Sequence, residues 1–591
     1  MTPAPLCIAL VSREFPPFVG GGIGTYTRCF AEALAAGGHR PVVVTVSDDG
    51  AERRGVLGGV SVIRLPFIAG DDWSGPHAAI ATPETAAAFL TFAPVSVFSM
   101  VVARALPRLM DEFRFDAIEA PDTGALGWFA LNERRIGRPW APDGGPPQPP
   151  LLTMVHSPTR WIAGLNGAPP PARRGQELLS MERDSARWSD AVLAPSTAMA
   201  RWAEREWALD PGSIGVTAYP LGSLEAGARR SSQRVSITGE LRRVAFVGRL
   251  ERRKGVDTLL AAFAVAAENS DLRLDLIGQD TNDPATSRPF GAALLDALPE
   301  GLCGRITWHG RTPPETVTDL LVRSAVAVVP SPTDNFPYAC IEAMAAGRIV
   351  VAARAGGMGE LIRDGIDGFL FTPGDAGSLA AQLARAAALA ADTGAELGRA
   401  AARRVLNVCG NERIVAARVG HYRGVIARER PTIADDLRTA ADAVVLVNAP
   451  PILTPAVESL VRAVSRPGGG IDFAHGWSRS PDGTVLAFGT PTAESLARSP
   501  RRLGPLAVSR AALDDPRVRA FVEPASNAGG PYARFRAAST WEIASALCAG
   551  GYAGAVVPHA VTDLVSGAAE SPEMPVPTVR VGLHEQRHAR P

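Results

Sequence analysis

Lysine is nearly missing from this 591-residue sequence: among 60 basic residues, Lys254 is the only lysine. Alanine, glycine and proline are abundant, which together with the arginine excess indicates a coding bias that replaces lysine wherever arginine serves equally well. One lysine could survive such a bias by chance on a solvated surface. The alternative is that Lys254 lies at a site that requires a compact ammonium, because arginine and lysine are not interchangeable where an anion is bound.

An excess of charge of either sign is also missing, because the 60 basic residues are balanced by 60 acidic ones. This balance excludes the basic stripe of a nucleic-acid-binding protein and a polybasic membrane anchor. No apolar run approaches the roughly 20 residues of a membrane-spanning helix. The short apolar run near the N-terminus lacks the preceding basic residue of a signal peptide. We therefore expect a cytoplasmic protein, which can still associate peripherally with the inner face of the membrane.

Cysteines are few and scattered, with no C-x-x-C and no paired spacing. They are Cys7, Cys29, Cys303, Cys340, Cys409 and Cys548. This distribution excludes a disulfide framework and a zinc site, and it indicates reduced thiols in a cytosolic protein.

Short apolar, β-branched runs alternate with helical stretches rich in alanine, leucine and arginine, which is the pattern of parallel α/β units. In the first part, strands are predicted at 6–12, 41–46, 60–65, 115–120, 151–156 and 190–195. A polar stretch at 225–240 is interpreted as a linker. The pattern then resumes, with strands predicted at 243–248, 272–278, 305–310, 325–330 and 348–353.

Two Rossmann-like domains joined by a linker form a cleft, which the carboxyl ends of their strands face. The sequence therefore predicts an α/β fold. Its parts are an N-terminal domain at 1–235, a second domain at 236–410, a terminal helix at 411–430 that crosses back to the first domain, a smaller α/β module at 431–565 and a flexible tail at 566–591.

The first two candidate site loops each follow directly on a predicted strand. Gly21 and Gly22 open a helix after the first strand, and their backbone N–H groups could approach an anion. Their spacing does not complete G-x-G-x-x-G, so a plain tight turn is an equal interpretation. In "FVGRLERRKG", Arg249 and Lys254 follow Gly248, and both cations can point at one anion.

Two more loops follow strands of the second domain. "PSPTDNFPYACIEAMAAG" carries Asp334 and Glu342, with Pro337 placed to begin a helix. Carboxylates suit sugar and ribose hydroxyls, although an acid in such a loop is more often simply solvated. "RAGGMGELIRDGIDGFLF" opens a further helix at a glycine pair, followed closely by Glu360. Cations, glycine-opened helices and hydroxyl-binding acids around one cleft indicate a sugar-nucleotide site.

Two segments, "FVGRLERRKGVDTLLAAF" and "DNFPYACIEAMAAGRIVVAARAGGMGELIRDGIDGFLF", resemble the donor-binding domain of family-4 retaining glycosyltransferases of the GT-B fold. The resemblance covers residues 6–428 and rests in the first domain on "GGIGTYT", "HSPTRW" and "LAPSTAMA". It implies a hexosyl-type transferase that uses a nucleoside-diphosphate sugar without a metal or other cofactor. It also implies a glycan or lipid-linked acceptor, in cell-envelope or exopolysaccharide synthesis.

By this resemblance, Arg249 and Lys254 hold the donor diphosphate, and Glu342 binds the ribose hydroxyls. Asp334 and His156 face the transferred sugar. The family more often has glutamate at the position of Asp334, which leaves the donor sugar open. The remaining candidates are donor contacts at Gly21, Gly22, Gly248, Phe336, Pro337, Gly356, Gly357 and Glu360, and acceptor contacts at Glu14, Asp122 and Arg160.

Three other classes are compatible with parts of the pattern. A nicotinamide-dependent oxidoreductase also uses Rossmann domains, but it needs a G-x-G-x-x-G and a following acid that are not present in clean form. A pyridoxal-phosphate phosphorylase needs a Schiff-base lysine, for which Lys254 is the only candidate. A sugar-nucleotide-binding subunit without turnover fits the fold and would lack a complete set of catalytic residues.

The module at 431–565 resembles part of a family-2 GT-A glycosyltransferase, through "ADAVVLVNAPPILTPAVESLVRAV" and "STWEIASALCAGGYAGAVVPHAVTDL". In this resemblance the metal-binding acids fall on Asn448 and Pro450, and the catalytic base falls on Thr540. Asparagine is a poor ligand for a hard cation and proline offers no side-chain ligand. An unrelated small α/β cap is the alternative. In either case we expect a non-catalytic module that serves acceptor docking or assembly.

Overall fold

The computed structural model describes eight segments of the first 428 residues and six strands further along the chain. The segments are 4–17, 21–47, 51–67, 92–135, 148–171, 173–235, 242–268 and 270–428, and the strands lie between 443 and 580.

The first domain is built on an eight-stranded sheet. Its strands are β1 (Cys7–Val11), β2 (Arg40–Ser47), β3 (Arg53–Leu57), β4 (Val60–Pro66), β5 (Ala117–Pro121), β6 (Leu151–Met154), β7 (Ala191–Ala194) and β8 (Gly215–Val216). They are ordered β3-β4-β2-β1-β5-β6-β7-β8, and every pair is parallel except β3 with β4. The six predicted strands are confirmed. The sequence missed β3, which is exposed along its length at the sheet edge, and β8, which has only two residues.

Helices cover both faces of this sheet. They are α1 (Gly22–Ala36), α2 (Pro94–Phe113), α3 (Trp128–Arg135), α4 (Thr159–Leu165), α5 (Arg173–Trp188), α6 (Thr197–Glu206) and α7 (Leu224–Gln233). Alternate residues of β1 enter two different cores: Ile8 and Leu10 lie in one, and Cys7 and Ala9 in the other. A strand buried on both faces must be apolar throughout, which is why these strands are visible as continuous apolar runs.

Helix α7 corrects the predicted linker at 225–240. Most of its residues are good helix formers, Glu225 pairs with Arg229 one turn later, and Ala228 is fully buried. The helix packs against α15 (Ala391–Cys409) of the second domain. The stretch looked like a linker because it is polar on average, whereas only one side of the helix needs to be apolar. Residues 236–241 lie outside the described residues.

The second domain has a six-stranded sheet in which all strands are parallel. Its strands are β9 (Arg243–Val247), β10 (Arg273–Ile277), β11 (Ile306–Gly310), β12 (Val326–Val329), β13 (Ile349–Ala353) and β14 (Phe369–Phe371), in the order β11-β10-β9-β12-β13-β14. The five predicted strands are confirmed, and β14 was missed. The other helices, besides α15, are α8 (Val256–Ala267), α9 (Phe290–Asp296), α10 (Glu300–Cys303), α11 (Pro314–Arg323), α12 (Tyr338–Ala345), α13 (Gly356–Leu361) and α14 (Ala376–Ala387).

Helix α16 (Asn411–Ile426) follows the second domain in sequence but packs against α1 of the first. Its Arg418 side chain is 1% exposed and forms an ion pair with Glu119 of β5. Tyr26 and Tyr422 each donate a hydrogen bond to the same carboxylate at 2.6 Å. A fully buried charge requires partners of this kind. The helix therefore completes the core of the first domain.

Beyond residue 428 the described residues form a third sheet. Its strands are β15 (Ala443–Leu446), β16 (Phe473–Arg479), β17 (Val485–Leu486), β18 (Leu506–Ser509), β19 (Gly554–Asp563) and β20 (Thr578–Arg580). The order is β17-β16-β18-β15-β20, and β19 pairs with β16 in parallel. Asn448, Pro450 and Thr540 lie outside the described residues, so the GT-A resemblance stays a prediction. In the described ranges, no helix has both the length and the apolar character needed to cross a membrane.

Candidate active site

The loops after β6 and β12 meet at the boundary between the two domains. The side-chain amide of Asn335, after β12, donates to the carbonyl oxygens of His156 at 2.7 Å and Val155 at 3.2 Å, both after β6. The carboxyl ends of both parallel sheets therefore border one site, which is where such sheets bind ligands.

Lys254 lies in a single 3-10 turn, Arg252–Lys254, shortly after β9. The turn ends at Gly255, whose φ of +69° is in the left-handed region, and an added Cβ there would lie 2.2 Å from the carbonyl oxygen of Pro330. Glycine is required for the turn to come this close to the end of β12. The approach brings Lys254 Nζ to 2.6 Å from Asp334 Oδ2. The single lysine thus lies inside the predicted site.

Asp334 is 6% exposed and is held by several donors. Besides Lys254, the Ser331 hydroxyl lies 3.3 Å from Oδ2, and the backbone N–H of Asn335 donates to Oδ1 at 2.9 Å. Burial raises the pKa of this carboxyl, but the charges of Lys254 and Arg253 outweigh burial and hold the pKa below its ordinary value. Burial lowers the pKa of Lys254, and Asp334 counteracts that effect. Asp334 is therefore a carboxylate at neutral pH.

Arg249, the other predicted phosphate-binding cation, directly follows Gly248 at the end of β9. Its side chain is 45% exposed, and its Nη2 lies 3.3 Å from Glu251 Oε1. The Glu251 carboxylate is 8% exposed and pairs more closely with Arg253, at 2.6 Å. The guanidinium is therefore available to a ligand, whereas Lys254 must share or exchange its carboxylate partner to bind one.

His156 is 3% exposed, and aromatic groups surround it. Its Nδ1 lies 2.6 Å from the Tyr219 hydroxyl, and the ring of Tyr26 packs against it with centroids 4.6 Å apart. Burial, and to a lesser degree the charge of Arg418, lowers the pKa of His156 to about 3. The imidazole is therefore neutral at physiological pH and can serve as a hydrogen-bonding group, not as a cation.

Glu342 lies on α12 and is partly buried. Burial raises the pKa of Glu342 to about 7, although the positive charge of Arg28 on α1 acts against this shift. Within the described part of the chain, no hydrogen bond or ion pair holds this carboxyl group. A half-buried carboxyl without a partner is costly, so the position favours a ligand that donates hydrogen bonds.

A carboxylate of the protein itself, that of Glu14, lies beside the glycine pair at the start of α1. Glu14 Oε2 accepts a hydrogen bond from the backbone N–H of Gly24 at 3.3 Å, and a Cβ on Gly21 would lie 3.4 Å from the same oxygen. Gly22 faces open space. Because Glu14 supplies negative charge to the helix N-terminus, the arrangement favours the tight-turn interpretation of this loop over a phosphate site.

Some predicted donor contacts are engaged within the protein. The backbone N–H of Gly357 donates to the Asp334 carbonyl at 3.0 Å. Glu360 accepts hydrogen bonds from the backbone N–H groups of Thr197 and Ala198, at 3.0 and 2.8 Å, and so caps α6 of the opposite domain. Gly356, with φ of +54°, would place a Cβ 2.0 Å from the Asp334 carbonyl oxygen. These residues position the Asp334 loop and the domain boundary.

Phe336 and Pro337, two further predicted donor contacts, lie on the loop before α12. Pro337 has no N–H to donate, and it immediately precedes the first turn of α12. Phe336 is buried and packs edge-on against Tyr219, with ring centroids 5.8 Å apart. Of the predicted acceptor contacts, Arg160 is 65% exposed and pairs with Glu206.

Asp122 is fully buried beneath the His156 loop and not at the surface of the cleft. Its Oδ1 accepts from the backbone N–H of His156 at 2.6 Å, which fixes the loop. Glu182 holds the same loop further along, through the N–H and hydroxyl of Thr159 at 2.9 and 2.7 Å. Burial raises the pKa of both carboxyls, to about 6 for Asp122 and about 8 for Glu182, and their mutual repulsion adds to the shift of Glu182.

This pair predicts a pH-dependent effect of Glu182→Gln. A carboxyl whose pKa is raised on folding binds more protons in the folded state, so stability falls as pH rises from its unfolded value of roughly 4.5 to about 8. The variant cannot ionise there. Its unfolding free energy relative to wild type should therefore improve by at least about 1 kcal/mol between pH 5 and pH 8. Urea denaturation at both pH values measures this, and a difference that is independent of pH would contradict it.

The sequence missed Tyr219, Tyr26, Ser196 and Asn335 as site residues. Tyr26 and Ser196 stand inside segments that carried the resemblance, so their neighbourhood was visible but their contacts were not. Tyr219 is 63 residues from His156 in sequence, and Asn335 is 179 residues from it. No local pattern marks contacts at such separations. Among the described residues, no group of three His, Cys, Asp or Glu side chains is placed to hold a metal ion.

Comparison with known families now identifies the class. Residues 21–220 match the family described as Glycosyl transferase 4-like domain, and residues 242–388 match the family described as Glycosyl transferases group 1. The two matches together span more than half of the chain, and each falls on one of the two domains. Both domains are therefore glycosyltransferase domains, and their arrangement is that of the GT-B fold. The 4-like description applies to the first domain, and the group 1 description applies to the second.

Relatives and solved structures agree with this assignment. The chain is 30% identical over 292 residues to D-inositol 3-phosphate glycosyltransferase of Mycobacterium tuberculosis and of Mycobacterium bovis, covering 48% of this chain and 55% of theirs. It thus spans about half the length of these curated relatives.

Two solved structures share the fold. Sucrose-phosphate synthase from Thermosynechococcus elongatus has a TM-score of 0.52 at 24% identity, covering 71% of this chain and 99% of that one. The catalytic domain of Starch Synthase IV from Arabidopsis thaliana, bound to ADP and acarbose, has a TM-score of 0.53 at 14% identity, covering 72% and 100%. The predicted fold of two facing Rossmann-like domains is confirmed.

Proposed function

We propose that residues 1–428 form a retaining, metal-independent glycosyltransferase that moves a hexosyl group from a nucleoside-diphosphate sugar to a glycan or lipid-linked acceptor. The main support for this proposal is the Lys254–Asp334 ion pair, which Asn335 links to His156 of the opposite domain. One boundary thus holds a cation for a diphosphate, a carboxylate for sugar hydroxyls and a neutral imidazole. We propose a role in cell-envelope or exopolysaccharide synthesis.

The charges of the site fit a departing diphosphate. As the bond between the sugar C1 and the phosphate oxygen breaks, its electron pair goes to the phosphate, where negative charge grows. Lys254 and Arg249 can stabilise that charge, and fixed charges at a preorganised site act most strongly where charge develops. Lys254 is already oriented by Asp334, so little reorganisation is needed when the donor replaces part of this contact.

Asp334 orients the sugar in this mechanism. Its carboxylate already has three hydrogen-bonding partners within the protein, so it is poorly placed to attack C1 as a free nucleophile. The acceptor hydroxyl oxygen instead forms the new bond to C1 on the face that the phosphate leaves, and its proton passes to the leaving phosphate oxygen. The anomeric configuration is then retained. His156, neutral and fixed by Tyr219, offers a hydrogen bond to the sugar.

Calorimetric titration with UDP, GDP and ADP, followed by their sugar conjugates, tests the proposal. We expect one nucleoside diphosphate to bind with a clearly higher affinity than the others. The sugar of its conjugate should be transferred to the acceptor, or the conjugate should be slowly hydrolysed. Proton NMR of the product reports the anomeric configuration. D-inositol 3-phosphate, named for the relatives, is one acceptor to assay beside lipid-linked glycans. Binding without any turnover would favour a non-catalytic sugar-nucleotide-binding subunit instead.

The two acids should separate in their effects. Glu342→Ala is expected to lower the affinity for the free nucleoside diphosphate by about tenfold, because it removes a carboxylate that accepts hydrogen bonds from the ribose hydroxyls. Asp334→Asn should lower kcat by at least about tenfold, because the sugar is the part of the donor that Asp334 contacts. It should leave the nucleoside diphosphate affinity within about threefold, because the asparagine oxygen can still accept a hydrogen bond from Lys254. Calorimetry and initial rates give both values. Equal losses of nucleoside diphosphate affinity would contradict this division of roles.

The module at 431–565 should be dispensable for chemistry. A chain ending at residue 428 retains α16 and the Arg418–Glu119 pair, so we expect it to bind the sugar nucleotide and to transfer or hydrolyse it slowly. A chain ending at 410 lacks α16 and is the matched control, which should lose cooperative thermal unfolding. Metal-dependent transfer by the isolated residues 431–591 would contradict a non-catalytic module.

A further inference from the structure

We propose that Asn335 is a positioning residue that aligns the two halves of the site, an inference that rests on the proposed function. Asn335 is 4% exposed, and it lies next to Asp334 in sequence. It is nevertheless bonded mainly to the opposite domain. Its role is to fix where Asp334 of the second domain stands relative to His156 of the first.

The side chain of Asn335 uses both of its polar ends across the boundary. Its Nδ2 donates to the carbonyl oxygens of His156 and Val155, at 2.7 and 3.2 Å, while its Oδ1 accepts from the Ser196 hydroxyl at 2.9 Å. All three partners belong to the first domain. A buried amide that makes three hydrogen bonds in different directions tolerates little displacement.

The backbone of Asn335 acts on the other side. Its N–H donates to Asp334 Oδ1 at 2.9 Å, and Asp334 Oδ2 meets Lys254 Nζ at 2.6 Å. The path from His156 to Lys254 therefore passes through one side chain, one peptide N–H and one carboxylate. Loss of the Asn335 side-chain contacts would let the two domains shift, which would separate Asp334 from His156. Asp334 and the phosphate-binding residues all lie in the second domain, so they would keep their positions relative to one another.

Further contacts of the same boundary agree with this role. Ser196 also caps α6 through Met199 N at 3.2 Å, and Glu360 accepts from the next two amides of that helix. The start of α6 is thus held by the second domain at two points. Glu360 lies at the rim, whereas Asn335 reaches the carbonyl of His156 itself. Asn335 is therefore the contact that couples closure of the boundary to the geometry of the site.

The experiment compares kcat, which depends on the alignment of the two domains, with the Kd for the nucleoside diphosphate, which does not. Asn335→Ala should keep the Kd for the nucleoside diphosphate found in the calorimetric screen within about twofold, because Arg249, Lys254 and Glu342 are unchanged. Its kcat should fall by at least about tenfold, since misplacement by about an ångström costs that much or more. Asn335→Asp should be impaired at least equally, because it loses both donors and adds a negative charge beside Asp334. Asn407→Ala, an exposed asparagine of α15, is the control and should match wild type.

The outcomes distinguish this inference from the proposed function. If wild type binds no nucleoside diphosphate, the proposed function itself fails. If wild type binds and transfers, but Asn335→Ala keeps its kcat within twofold, only the positioning role is overturned. If Asn335→Ala does not unfold cooperatively, Ser196→Ala, which removes one of the three contacts, takes its place: kcat should fall about threefold with unchanged Kd, and an unchanged kcat overturns the inference.

Discussion

Replacing Lys254 with alanine should lower kcat/KM by about a hundredfold or more, as expected when a preorganised charge at a leaving group is removed. The variant loses the ammonium, and among the described residues it leaves the buried Asp334 with Arg253, 3.8 Å away, as its remaining ion-pair partner. Lys254→Arg should be impaired as well, because the planar guanidinium cannot occupy the position of a compact ammonium bonded to Asp334 at 2.6 Å. Initial-rate kinetics with the preferred donor measures both.

Arg252→Ala is the matched control for this experiment. Arg252 belongs to the same 3-10 turn, but its side chain is 46% exposed and pairs with Asp283, away from Asp334. Its removal should change kcat/KM by less than about threefold, since the ion pair of Arg252 is with Asp283 and not with Asp334. Near-normal turnover by Lys254→Arg would mean that the only lysine of this chain survives by chance.

Replacing Arg418 with methionine should lower the free energy of unfolding by about 3–5 kcal/mol, the usual cost of removing one partner of a buried ion pair. Glu119 would remain 4% exposed, with two tyrosine hydroxyls but no cation. The pair joins α16 to β5, so the loss should loosen the first domain beside His156. Urea denaturation followed by tryptophan fluorescence measures it.

Two further variants make the Arg418 result specific. Arg423→Met alters a half-buried arginine of the same helix whose hydrogen bond, among the described residues, goes to the Ala4 carbonyl. It should cost about 1 kcal/mol or less. Adding Glu119→Gln to Arg418→Met removes the uncompensated charge and should restore part of the lost stability. A loss below about 1 kcal/mol for Arg418→Met alone would show that the ion pair does not hold this helix.

Eleven of the fourteen strands in the two main sheets could be predicted from the sequence, and β3, β8 and β14 could not. Strands such as β1, β9 and β12 are buried on both faces, so each must be a continuous apolar run that can be read locally. The motif around Lys254 was equally visible, because a cation after a strand and a glycine that permits a left-handed turn are properties of neighbouring residues. The glycosyltransferase class and the GT-B fold followed from those motifs.

Which of these residues contact one another became visible in the folded structure. It brought Lys254 to Asp334 across 80 residues, set Asn335 against His156, and placed Glu360 on a helix of the opposite domain. It also showed that the expected linker is helix α7, which packs against α15. The physical reason is the same in each case. Hydrogen bonds, ion pairs and burial depend on distance in space, and a sequence pattern reports only distance along the chain.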